Sequence, residues 1–202
     1  MEPKPQEAGL PPPPGFLVQR DLPAGRHPIL TVFPGLDRLG PAQRIERAAS
    51  KRKRLFAETA IELVDEDMWM YVAPWEAPPF ARRRGWNPVV APGVDCIVVG
   101  RGHLRESPEM ILYLDIYHEL CHLLQRHGGA NLWEPGVAYV ERKTEIDAYR
   151  FVVGEAKALG VADRYLREYL KVEWISDQEH EQLLEAVGVA PPPRPPRRSA
   201  RR

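Results

Sequence analysis

Cysteine is nearly missing from this chain. Cys96 and Cys121 are the only two in 202 residues, which argues against a disulfide scaffold. Long apolar runs are missing too. Nothing approaches the roughly 18 apolar residues of a membrane-spanning helix, and the N-terminus lacks the apolar core of a signal peptide. A cytoplasmic protein without a membrane span is therefore expected. Net charge is also absent, because 28 basic residues balance 28 acidic ones. No internal repeat is visible.

Proline, in contrast, is abundant at 22 residues, and it crowds the two ends. Pro11-Pro12-Pro13-Pro14 lies near the start, and Pro191 to Pro196 lies near the finish. Residues 1–25 and 190–202 are expected as disordered tails around one globular domain, 26–189. The last 13 residues hold five Arg and no acid, which leaves 23 bases against 28 acids, a net of −5, for the rest. A basic tail on a mildly acidic domain is first of all a solubilising segment. Contact with nucleic acid or an acidic partner is the alternative, as is a polyproline II ligand for an aromatic groove.

Between the tails, Pro41–Glu62 reads as a helix with Ile45, Ala48, Ala49, Phe56, Ala60 and Ile61 inward. Ser50-Lys51-Arg52-Lys53-Arg54 would be its solvated basic face, or a phosphate contact. Met68–Val72 and Cys96–Val99 read as short strands. Arg82-Arg83-Arg84 with Trp86 belongs to a Pro-rich loop, which is a surface loop unless it lines a groove. Gly160–Glu173 reads as a helix with Tyr165, Leu166, Tyr169 and Leu170 inward. Ser176 and Glu179 form a capping box that opens a last helix ending before Gly188. The class is α+β.

The feature that decides the functional reading is His118-Glu119-Leu120-Cys121-His122. On a helix, residues four apart share one face, so both imidazoles can meet one metal ion. Zn²⁺ is the ion that this pattern suits. Glu119, between them, can act on a metal-polarised water. The flanks supply the helix. Ser107-Pro108-Glu109 reads as N-cap, first-turn proline and first-turn acid. Gly128 is the expected C′ residue, which gives a helix over roughly 108–127. The bland alternative is a buried helix with two satisfied histidines. A charged Glu on such a helix is costly to bury unless something binds it.

A catalytic zinc site needs a third protein ligand. His127 faces about 140° away from His122, and Gln125 and Gly128 occupy the metzincin positions, so that class is excluded. His180 lies in a polar segment that reads as exposed. The next helix, read as 137–159, carries Ala138, Glu141, Glu145, Ala148 and Val152 on one stripe. Glu145 is the preferred ligand, and small Ala148 lets the two helices approach. Glu141 competes, and a solvated charged face is the remaining reading. Cys121 points to the flank of its helix and reads as a small core residue.

His-Glu-Leu-Cys-His-Leu-Leu followed by Glu145-Ile-Asp-Ala148-Tyr-Arg-Phe151-Val152 resembles the ImmA/IrrE-like minimal gluzincin zinc peptidases. The resemblance spans residues 40–160, and the two motif segments carry its specificity. It implies a small zincin-like domain: an N-terminal helix, a short sheet, the metal helix, the glutamate helix and C-terminal helices. It further implies Zn²⁺ on His118, His122 and Glu145, with Glu119 as general base. The expected activity is intracellular cleavage of a specific protein partner, such as a transcriptional regulator. In that family the strand before the metal helix receives an extended substrate, here the edge at Cys96–Val99 or the turn after it. One position departs. The family often places Asp four residues after the ligand Glu, where this chain has Tyr149; Asp115 or Asp147 would have to substitute. Tyr149 or Arg150 would stabilise the oxyanion. Two rival readings remain: a metal-binding, non-catalytic interaction protein on the same scaffold, and a nucleic-acid-associated SprT-like protease, which would need a third His.

Overall fold

The computed structural model describes residues 10–39, 55–65, 69–73 and 94–191, and everything below concerns those residues. The chain is α+β, with helices packed on a mixed four-stranded sheet. The strands are β1 (Gly25–Pro28), β2 (Ala60–Val64), β3 (Met70–Val72) and β4 (Cys96–Gly100), in the order β1-β2-β4-β3. β1 runs antiparallel to β2, β2 parallel to β4, and β3 antiparallel to β4, with Val72 opposite Ile97. The helices are α1 (Ile29–Val32, a single turn), α2 (Arg101–Glu106), α3 (Glu109–His127), α4 (Lys143–Ala158), α5 (Asp163–Tyr169) and α6 (Asp177–Val187). None of the described helices is long and apolar enough to cross a membrane.

Ile97 and Val99 of β4 enter the main core, while Cys96 and Val98 join a small second cluster with Ala73. β4 is therefore buried on both faces and paired on both sides, as a continuous apolar run predicts. It is not the edge strand that the resemblance implied. Among the described residues the edge strands are β1 and β3, and β3 is the one that pairs with β4.

The helix expected over 41–62 is also corrected. Residues 40–54, with the basic cluster, lie outside the described residues; 55–58 are helical, and Ala60, Ile61 and Glu62 belong to β2. Ile61 and Leu63 point into the core while their neighbours are partly exposed. Pairing on two sides overrides the helical period that Phe56, Ala60 and Ile61 mimic.

Residues 10–24 lie along the domain and pack on it, against the expectation of a tail over this stretch. Phe16 is 4% exposed; it stacks on Phe33 and meets Tyr113 edge-on, with ring centroids 5.9 and 5.2 Å apart. Arg20 Nη1 donates to the carbonyls of Leu104, Arg105 and Ser107 at 2.6, 3.0 and 3.1 Å, closing the C-terminus of α2. Proline stiffens an ordered extended strap as readily as a disordered one. Residues 192–202, with their arginines, and the loop of Arg82–Arg84 and Trp86 lie outside the described residues.

α3 runs through the middle of the core. Tyr113 donates to Glu155 Oε1 at 2.9 Å and Tyr117 to the Leu36 carbonyl at 3.1 Å, so both buried phenols are satisfied. Ser107 is not the N-cap; Pro108 holds that position, and the Ser107 hydroxyl pairs instead with His103 Nδ1 at 2.9 Å. The left-handed residue after the helix is Gly129 (φ 84°), not Gly128 (φ −79°). Ala130 N bonds Gln125 O and Gly129 N bonds Arg126 O, both at 2.9 Å, which completes a Schellman end. α6 opens on the Ser176–Glu179 capping box and ends at Gly188 (φ 76°), as the sequence predicts. The helix read as 160–173 contracts to α5, which buries Leu166.

Candidate metal centre

α3 and α4 pack against each other, and Ala148, fully buried, lies on the glutamate helix one turn after Glu145. α4 begins at Lys143, not at 137. Ala138 is extended, Tyr139–Glu141 form one 3-10 turn, and Arg142 is extended again. This late start decides between the two glutamates. Glu141 sits exposed on the turn, whereas Glu145 is buried in the first turn of α4. The positive end of a helix also favours a carboxylate there.

Three side chains converge. Glu145 Oε2 lies 3.4 Å from both His118 Nε2 and His122 Nε2, and the two imidazole nitrogens are 2.9 Å apart. His118, His122 and Glu145 are 6%, 6% and 8% exposed. Bonds of about 2.0–2.1 Å to a tetrahedral ion place neighbouring donors about 3.3 Å apart. Two edges of this triangle match, and the third is short by the difference between a hydrogen bond and shared coordination. The buried group could therefore hold a metal ion.

The electrostatics agree. Burial alone would raise the Glu145 carboxyl, but its bonds to the two imidazoles outweigh burial and hold it below the usual carboxylate range. Burial depresses His118 despite the Glu145 bond. For His122 burial is outweighed by Glu145 and by the charge of Glu119, which together lift it to about 9. The shifts of His122 and Glu145 thus favour an imidazolium–carboxylate pair across their 3.4 Å contact.

Glu119 points from the same helix toward β3. Its Oε2 accepts the Val72 N–H at 2.8 Å. Burial pushes its carboxyl up to about 8. Tyr149 packs its ring against His118 with centroids 4.3 Å apart, and its hydroxyl lies 2.9 Å from that of Tyr139. Burial raises both phenols well above their ordinary range, so both stay protonated donors. Tyr139 meets Trp174 edge-on, and Trp174 stacks on Trp69 at 4.4 Å, carrying the aromatic wall out to the surface beside β3.

The other candidates are placed elsewhere. His127 Nε2 pairs with buried Asp95 at 2.7 Å. His180 is buried rather than exposed, because it lies on the inner face of α6, and its Nε2 pairs with the Arg167 carbonyl at 2.9 Å. Arg150 faces outward, where it donates to the Ala186 carbonyl and pairs with Asp147. Asp115 is engaged by His103 and Tyr169 at 2.9 and 3.0 Å, and Asp147 pairs with Lys143 and Arg150 on the far side of α4. Neither replaces the missing carboxylate. Cys121 is half-buried and outside the triad, with its thiol pushed up to about 12 by burial. Sequence reasoning missed Val72 and Tyr139, whose roles depend on long-range packing. It also missed Gln125 as a partner of His122, although the spacing of three residues could have suggested it.

No family model matches this chain, and no curated protein or solved structure matches it either.

Proposed function

We propose that this chain is a zinc-dependent endopeptidase with a zincin-like domain of the minimal gluzincin type, acting on a protein partner inside the cell. The observation that carries the reading is the buried convergence of His118 Nε2, His122 Nε2 and Glu145 Oε2, with the Glu119 carboxyl on the same helix. Two nitrogens and one carboxylate oxygen, leaving one position open, are the donor set of a catalytic rather than a structural zinc site. When bound, Zn²⁺ supplies Lewis acidity, lowering the pKa of water and polarising a carbonyl. Glu119 keeps one carboxyl oxygen on the Val72 N–H and uses the other to take a proton from the attacking water. It returns that proton to the leaving amine, so the peptide bond is exchanged for an acid and an amine. A dication nearby favours the ionised form of Glu119 that this role needs. The Tyr149–Tyr139 pair supplies the hydrogen-bond donor for the oxyanion. β3, adjoining Glu119, is the edge along which an extended peptide would add.

A second reading is a metal-binding interaction protein without activity; Tyr149 at the position of the expected Asp, and the unpartnered His118 Nδ1, favour it. The SprT-like alternative loses support, because His127 and His180 both pair away from the triad. The test is metal content by mass spectrometry together with Glu119→Gln used as a trap. One zinc per chain, partner fragments with the native protein and intact partner on the variant support the protease. Zinc with an intact partner in both supports the scaffold. No zinc after zinc is supplied overturns both readings.

A further inference from the structure

The two histidines are not equally supported. His118 Nδ1 is buried and has no hydrogen-bond partner among the described residues, whereas His122 Nδ1 lies 2.8 Å from Gln125 Oε1. The Gln125 amide nitrogen in turn donates to the Thr144 carbonyl at 2.8 Å. That second bond fixes the first. A carbonyl can only accept, so the amide NH₂ must face Thr144 and the amide oxygen must face the ring. His122 Nδ1 then has to carry a hydrogen and donate it. This leaves Nε2, the nitrogen aimed at Glu145, as the one to give up its proton to a cation. Thr144 immediately precedes Glu145 in the first turn of α4. One side chain therefore orients a ligand on α3 and holds the start of α4 that carries another.

We propose that Gln125 is the positioning residue of the metal centre, setting His122 alone, while position 149 faces His118 with a Tyr ring. The inference rests on the metal-site reading above. It deepens that reading by making the support one-sided: His122 is pre-set for coordination and His118 is not.

The test uses the full chain, Zn²⁺ as the probe, and two substitutions. Gln125→Met keeps the length and removes both hydrogen bonds. Gln125→Glu keeps the acceptor for Nδ1–H and removes the donor to Thr144. Zinc affinity is measured by competition with a chelator. The His122 Nδ1–H proton is followed by NMR with and without zinc, which a merely structural role would not move. Loss of an outer partner of a ligating His costs about 10- to 100-fold in metal affinity. Gln125→Met should show that loss together with rapid solvent exchange of the Nδ1–H proton. Gln125→Glu should keep the protected proton and recover most of the affinity. Native-like zinc affinity and a protected proton in Gln125→Met would overturn the inference while leaving the metal site standing. No zinc on the native chain would overturn the site itself, a result that cannot be mistaken for the first.

Discussion

Replacing Glu119 with Gln should make the zinc-free protein more stable, and by an amount that depends on pH. In the unfolded chain this carboxyl titrates near its ordinary 4.5, while burial on α3 pushes it up to about 8 in the fold. The folded state therefore holds the proton more tightly. Its full stability is present below pH 4.5 and erodes as pH rises toward 8, beyond which the loss stops growing. At about 1.4 kcal/mol per pH unit, the loss reaches about 3 kcal/mol at pH 7. Attraction between Glu119 and His122 is already included in that shift and disappears with the substitution. Gln has no proton to lose, and its amide oxygen still accepts the Val72 N–H that Glu119 Oε2 now holds. Urea unfolding of chelator-treated protein at pH 5, 6, 7 and 8 measures the gap between variant and native. The gap should be small at pH 5 and rise to about 3 kcal/mol at pH 7, a large fraction of a domain's total of roughly 5–15 kcal/mol. A gap that stays constant from pH 5 to pH 8, or a Gln variant less stable than native at pH 7, would refute the reasoning.

Two further outcomes follow from the same packing. Glu145→Ala should weaken zinc binding by more than the about 100-fold of an outer-partner loss, because it removes a donor outright; competition with a chelator measures it, and unchanged affinity would remove Glu145 from the site. Phe16→Ala should cost about 3–5 kcal/mol in denaturant unfolding, because Phe16 fills a buried space between Phe33 and Tyr113. A disordered N-terminal tail would instead give a change within about 0.5 kcal/mol.

What the sequence made legible is what is local. The helix around His118 and His122 is marked by its own apolar run, a proline at its start and a pair of glycines at its end, and only the identity of the caps shifted by one residue. The capping box at Ser176 is likewise written within four residues. Choosing between Glu141 and Glu145 was different. Both sit on one stripe if the helix begins at 137, and the outcome rests on an extended Ala138 and Arg142 that no short pattern encodes. β2 was hidden because Phe56, Ala60 and Ile61 mimic the spacing of a helix, and its state is set by partners more than 30 residues away, Gly25–Pro28 and Cys96–Gly100. The edge next to the site was misassigned for the same reason: Cys96–Gly100 and Met70–Val72 are both short apolar runs, and only the pairing order tells which lies inside. The prolines before residue 25 misled because they report stiffness, which serves an ordered strap and a tail alike.

The composition of α3 itself argues that this helix is not built for stability alone. Its neighbours, Leu112, Leu114, Ile116, Leu120 and Leu123, are fully or almost fully buried hydrocarbon. Apolar residues at 118, 119 and 122 would pack there without penalty. The chain instead buries a carboxyl lifted to about 8, an imidazole nitrogen with no partner, and a second carboxylate held between two rings. Each arrangement is costly in a metal-free core. A divalent cation between His118, His122 and Glu145 would relieve the largest of these costs together, by replacing the shared proton and favouring the ionised carboxyl of Glu119. Such a cluster, shared by α3 and the first turn of α4 and with one ring set by Gln125, could hold an ion. The same reasoning makes zinc addition stabilise the native chain, and stabilise the Glu145→Ala variant far less.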